Sequence, residues 1–229
     1  HVASMTVTGT AEEIARAFET LAGLATLQSL TLSDDNGTLS LTAAQVLGGS
    51  ATLGRIANPY QIAATGTTLA DLEALQALNE VSTIALSDTT ANVAAALDDL
   101  LAMGSQLASL GFTDDTPVLS LTQAAWTDAA TVLAKVEGSY QVDLSAVQAG
   151  SVATLAAEDT VRQLSVADTA DALAAQWSAL VAAWDGGNGK LVALQLGDDN
   201  PLALTEAQQA DGAAMIAALL PDETIVTVG

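Results

Sequence analysis

One pattern written three times, at a spacing of about 80 residues, constrains this chain more than any other feature. Asp34-Asp35, Asp114-Asp115 and Asp198-Asp199 each follow an apolar alternation (Leu30/Leu32, Leu110/Phe112, Leu194/Leu196) and precede a second apolar pair. Other marks keep step: Tyr60-Gln61-Ile62 is answered by Tyr140-Gln141-Val142, and Ser87-Asp88-Thr89 by Ala167-Asp168-Thr169. Repetition on this scale predicts a stacked array, in which each unit buries its apolar face against the next. Residues 1–5 read as a cloning remnant that carries the single histidine. Residues 6–229 read as one repeat array, with units at about 6–81, 82–161 and 162–229.

Apolar strand centres recur near Val7, Leu30, Ile62, Ile84, Leu110, Val142, Leu164, Leu194 and Ile225. Between them lie helix signals. Thr10-x-x-Glu13, Thr42-x-x-Gln45, Ser145-x-x-Gln148 and Thr205-x-x-Gln208 have the form of capping boxes, in which a hydroxyl and a carboxylate or amide satisfy orphaned backbone donors. Helical periodicity follows at Ile14, Phe18 and Leu21, at Val93, Leu97, Leu100 and Leu101, and at Leu173, Trp177, Leu180, Val181 and Trp184. Strand, helix, strand, repeated, predicts an α/β solenoid of about nine strand-helix coils, with one parallel sheet and the helices on the opposite side.

Leu27-x-x-Leu30-x-Leu32, Val81-x-x-Ile84-x-Leu86, Leu107-x-x-Leu110-x-Phe112 and Leu191-x-x-Leu194-x-Leu196 resemble the strand core of leucine-rich repeats. Where that family ladders Asn, this chain offers Asp or Thr, and its coil lengths are uneven. The Ala/Thr/Asp-rich, Lys-poor repeat also resembles modules of very large secreted bacterial surface proteins of the adhesin and haemolysin type. That resemblance implies an extracellular or cell-surface setting.

Composition narrows the function classes. Half of the residues are hydrophobic but only 3% are aromatic, which suits thin regular layers better than one bulky core. Twenty-seven acidic residues against five basic ones give a formal charge of -22, which repels a phosphate backbone and an anionic membrane surface. Cysteine is absent, so disulfides, thiol catalysis and thiolate metal sites are excluded together. No stretch reads as a membrane span.

In a parallel stack every strand ends on the same edge, so Asp34, Asp35, Asp88, Asp114, Asp115, Asp168, Asp198 and Asp199 are expected to line one rim. Two readings follow. Asp34, Asp35, Asp114, Asp115, Asp198 and Asp199 could ligate calcium, which takes several carboxylate and carbonyl oxygens. Alternatively they are turn and N-cap residues, because Asp accepts backbone N–H bonds and favours helix starts. No cofactor other than calcium is suggested. The outward strand positions Thr31, Ser33, Thr83, Ser87, Ser109, Thr113, Gln163 and Ser165 form a flat face of small polar groups, which could dock a glycan or protein or simply be solvated. Trp177 and Trp184, seven residues apart on one helix face, read as core, and Trp126 stands at a helix start.

Catalysis finds little to draw on. There is no phosphate-cradling loop, since Gly186-Gly187-Asn188-Gly189 reads as a turn, and no isolated desolvated carboxylate pair stands out. The expected function is therefore a non-catalytic structural and interaction repeat module of an exported bacterial surface or adhesin-like protein, partnered by neighbouring repeats of a longer chain. The alternative is a glycan- or protein-binding module that uses the sheet face, with calcium as a stabiliser.

Overall fold

The computed structural model describes residues 4–229. His1 and the rest of residues 1–3 lie outside the described residues; Met5, expected to belong to the remnant, opens the first strand. The chain forms two compact units. One holds the described residues up to Thr113 together with Thr131–Gly138, and the other holds Asp114–Ala130 with Ser139–Gly229.

The chain leading to Thr113 runs β1 (Met5–Gly9), α1 (Ala11–Arg16), α2 (Phe18–Ala22), β2 (Leu27–Leu32), β3 (Thr38–Thr42), α3 (Ala43–Gly48), α4 (Ser50–Leu53), β4 (Gln61–Thr67), α5 (Leu69–Gln76), β5 (Val81–Asp88), α6 (Thr90–Ala95), α7 (Leu97–Ala102) and β6 (Leu107–Phe112). It continues through β7 (Val118–Thr122), α8 (Gln123–Asp128), α9 (Ala130–Leu133), β8 (Gln141–Val147), α10 (Val152–Ala157), β9 (Val161–Asp168), α11 (Ala170–Ala175), α12 (Trp177–Trp184), β10 (Leu191–Leu196), β11 (Leu202–Thr205), α13 (Glu206–Asp211), α14 (Ala213–Leu219) and β12 (Ile225–Val228).

All strand pairs are parallel. The expected single solenoid sheet is replaced by four: β1-β2, β3-β4-β5-β6, β7-β8-β9-β10 and β11-β12. The first unit shows why. One segment serves two ladders, with Ile56 bridging Leu30 of β2 and Gln61–Thr65 pairing with β3. Between these stretches Pro59 has no N–H to give, and the Asn58 amide takes over the backbone groups of Leu32, accepting from its N–H at 2.8 Å and donating to its C=O at 3.0 Å. The ladder therefore breaks where the aspartate turn after β2 also interrupts the neighbouring strand.

All nine expected strand centres fall in strands. Three further strands, β3, β7 and β11, were not expected. Each has only four or five residues and runs directly into a helix through Thr42, Thr122 or Thr205. Their inward residues Leu39, Leu41, Leu119, Leu121, Leu202 and Leu204 are buried, and each such Leu is worth roughly 1.5–3 kcal/mol of transfer free energy.

Ile14, Phe18, Leu21, Val93, Leu97, Leu100, Leu173, Trp177 and Leu180 are buried as the periodicity requires. The helices that carry them are delivered as short pairs, broken at Ala17, Ala96 and Gln176 with φ between -107 and -92. Capping boxes form at Thr10–Glu13, Thr42–Gln45 and Thr205–Gln208. The expected box at Ser145–Gln148 does not form. The Ser145 hydroxyl donates across the ladder to the Leu121 carbonyl at 3.2 Å, and the Gln148 N–H donates to Oε1 of Gln123 at 2.8 Å. The reason is position: Ser145 lies inside β8, where a cross-strand carbonyl is the nearer acceptor.

Candidate functional site

Four of the rim aspartates, Asp34, Asp88, Asp168 and Asp198, accept backbone N–H groups at the starts of helical segments. In the first unit both Asp34 carboxylate oxygens accept from the N–H of Ala11, the first residue of α1, at 2.8 and 3.1 Å. Asp88 Oδ2 accepts from Leu69, the first residue of α5, while its Oδ1 takes the Thr89 N–H and the Asn92 side-chain amide. In the second unit Asp168 Oδ2 accepts from Ala149, at the start of a 3₁₀ turn, and Asp198 Oδ1 accepts from Ala170, the first residue of α11. A carboxylate at a helix start satisfies an orphan donor and complements the positive end of the helix.

This geometry moves two acidities. Burial pushes the Asp88 carboxyl up, but the bonds from Leu69, Asn92 and Thr89 together outweigh it and hold the group below the usual carboxylate range. The Ala170 N–H, followed by the Asn200 amide, lowers Asp198 in the same direction. Of the six residues expected to ligate calcium, Asp34 and Asp198 accept backbone N–H groups at helix starts. Asp35, Asp115 and Asp199 are exposed, and among the described residues no group of three or more His, Cys, Asp or Glu side chains converges where it could hold a metal ion.

The positions expected on the sheet face fall on the ladders of the two units or just past their strand ends. In the first, Thr31 lies beside Thr8, Thr83 beside Ala63, Ser109 beside Ala85, and Ser87 beside Gly111. In the second, Gln163 lies beside Asp143 and Ser165 beside Ala193. Thr31, Thr83, Ser87, Ser109, Gln163 and Ser165 are half-buried, and only Ser33 and Thr113, just past the strand ends, are exposed. Next to Gln163 the Arg162 guanidinium grips Asp143 by two hydrogen bonds, with Nε to Oδ1 at 2.8 Å.

Other basic side chains are likewise spent on structure. Lys135 Nζ donates to the carbonyls of Gly104 and Leu107 at 2.5 and 2.6 Å, and Lys190 Nζ to that of Glu158 at 2.5 Å. Of the tryptophans, Trp177 is fully buried, whereas Trp126 and Trp184 are half-buried.

Two clefts that the sequence reading missed lie in the second unit. One, of about 520 Å³, is lined by Asp115, Pro117, Tyr140, Gln141 and Asp159; the other, of about 440 Å³, by Asp198, Asp199, Pro201, Glu223 and Thr224. Each sits beside an Asp-Asp-x-Pro turn and the start of a following strand, so a signal was present in the recurring proline of Asp115-Thr116-Pro117 and Asp199-Asn200-Pro201. Burial raises the Tyr140 phenol, leaving it protonated and unsuited to base chemistry at neutral pH.

No protein-family model matches this chain, and no curated protein or solved structure matches it. Among the described residues no helix is long and apolar enough to cross a membrane.

Proposed function

We propose that the chain is a non-catalytic structural and interaction repeat module of an exported bacterial surface or adhesin-like protein, acting outside the cell as leucine-rich-repeat-like solenoid coils among neighbouring repeats of a longer chain. The supporting observation is that the two four-stranded sheets are built on one register. Leu39 pairs with Ile62 as Leu119 with Val142, Ala64 with Ile84 as Leu144 with Leu164, and Leu86 with Leu110 as Val166 with Leu194. Hydroxyls, carboxylates and lysines are spent on holding this pattern, which is the economy of a scaffold.

A second reading, a glycan- or protein-binding module that uses the sheet face with calcium as a stabiliser, draws support from the laddered small polar positions. Thermal unfolding followed by circular dichroism in chelator, calcium and magnesium at matched ionic strength separates the two, alongside glycan arrays. The scaffold reading expects equal shifts with both ions and no saturable glycan. A calcium-specific rise in midpoint, or a saturable glycan, favours the second reading instead.

A further inference from the structure

The chain has two tyrosines, and both stand at one position of the repeat. Tyr60 and Tyr140 each precede the glutamine that opens a strand, Gln61 of β4 and Gln141 of β8. In both cases that glutamine's N–H donates at 3.0 Å to the carbonyl of the residue closing the aspartate turn, Gly37 or Pro117. One hydrogen bond thus anchors each tyrosine next to its own turn. The register places Glu223 at the same position of the third repeat, so the turn itself does not require a ring.

Around Tyr140 the result is the cleft of about 520 Å³ lined by Asp115, Pro117, Gln141 and Asp159, a volume within the range of small-ligand sites. Its chemistry is one-sided. Tyr140 and Pro117, both half-buried, supply an apolar wall, and Asp115 and Asp159 are exposed carboxylates. Among the described residues no basic side chain lines it. The cations of this unit point elsewhere: Arg162 grips Asp143, and Lys190 Nζ donates to the Glu158 carbonyl at 2.5 Å. Tyr60 has an acidic neighbour as well, since burial and then the Glu80 carboxylate raise its phenol.

We propose that the Tyr140 cleft receives an arginine side chain from a basic segment of a partner protein, stacked on the ring and held by the carboxylates of Asp115 and Asp159. A guanidinium is the cation that fits both walls. Its plane lies on an aromatic face while its fork donates to carboxylates, whereas an ammonium is a compact, strongly hydrated point charge. The charge of -22 steers a basic partner toward the chain, and the cleft decides where one side chain of that partner lodges. This rests on the interaction side of the module reading and moves docking from the sheet face to the cleft.

Amide NMR of the isotope-labelled chain tests this by titration with a capped Gly-Arg-Gly peptide at physiological ionic strength, where exposed long-range charge is largely screened. The amides of Asp115, Gln141 and Thr160 are expected to shift along one saturable curve, with capped Gly-Lys-Gly binding more weakly. Tyr140→Leu leaves the net charge untouched and is expected to weaken the arginine peptide by about threefold or more. Asp159→Asn should do the same, and Asp98→Asn, at an exposed position on α7 of the first unit, should not. Shifts scattered over every acidic surface, full binding by Tyr140→Leu, or an equal loss in Asp98→Asn would overturn the proposal by reducing it to counterion attraction. Tighter binding of the lysine peptide, or of neutral methyl glucoside, would overturn it too. If Tyr140→Leu lowers the melting midpoint, Asp159→Asn, at an exposed position, carries the test alone. An empty cleft would sink this inference and leave the scaffold reading standing, whereas a calcium-specific midpoint or a saturable glycan would sink that reading with the arginine site intact.

Discussion

The Trp177 indole lies so close over Gly212 that a Cβ added there would meet Cζ2 at 2.5 Å, while its Nε1 donates to the Gln208 carbonyl at 2.8 Å. Phe18 lies over Gly49 in the first unit in the same way, with a built Cβ 2.5 Å from Cε1. The middle repeat carries a smaller side chain and a larger residue at the corresponding positions, Leu97 and Ala129.

Gly212→Ala is therefore expected to destabilise by about 1–3 kcal/mol, the usual cost of overpacking a filled core. Adding Trp177→Leu to the same chain should cost less than the sum of the two single changes, because the smaller side chain vacates the space that the added methyl enters. A double-mutant cycle on urea midpoints checks this, and strict additivity would show that the two sites do not share the space.

Ala146 sits at φ 50, the left-handed region, at the position where the earlier repeat has Gly66 at φ 58. A non-glycine residue there carries a steric cost of roughly 1–2 kcal/mol. Ala146→Gly is expected to raise the melting midpoint even though glycine is usually destabilising, and Gly66→Ala to lower it. Differential scanning calorimetry of both decides the matter by sign.

Thr67 is buried and its Oγ1 is without a hydrogen-bond partner, while its repeat counterpart Val147 is equally buried and apolar. Thr67→Val removes an unsatisfied hydroxyl with almost no change of shape. The expected gain is about 1 kcal/mol, and Val147→Thr should lose a similar amount in chemical denaturation.

Asp88 has its acidity shifted downward in the fold, so its contribution to stability is present above the unfolded carboxylate value of roughly 4 and fades as pH falls through the lower folded value. The sign follows from proton counting: on acidification the unfolded chain takes up the proton first. Asp88→Asn should therefore lower the melting midpoint at neutral pH and bring the two proteins together at low pH. Equal differences at both pH values would mean that the carboxylate charge is not what holds the starts of α5 and α6.

The threefold recurrence, nine of the strands and three capping boxes were legible because each depends on residues a few positions apart. Leu30 and Leu32 point inward by alternation whatever lies above them, while Leu27 joins them through the register shift before Ser29, and Thr10 finds Glu13 within its own first turn. The short strands β3, β7 and β11 escaped because two leucines before a capping threonine look the same whether they lead into a helix or pair with a neighbour.

The candidate site was legible in its residues and not in its purpose. Asp34 and Asp88 announce themselves by repetition, and for Asp34 the sequence left open whether its oxygens meet a cation or a helix end. Their partners Ala11 and Leu69 lie 23 and 19 residues away, and no local pattern joins residues so far apart. Sequence alone determined the period, the inward faces and the caps at Thr10, Thr42 and Thr205, since these follow from backbone periodicity and short-range hydrogen bonding. Tertiary structure decided that the ladder breaks into four sheets, that these carboxylates serve helix starts, and that Gly212 yields to Trp177. Those outcomes depend on which segments stack against which, a choice made by the packing of the chain as a whole.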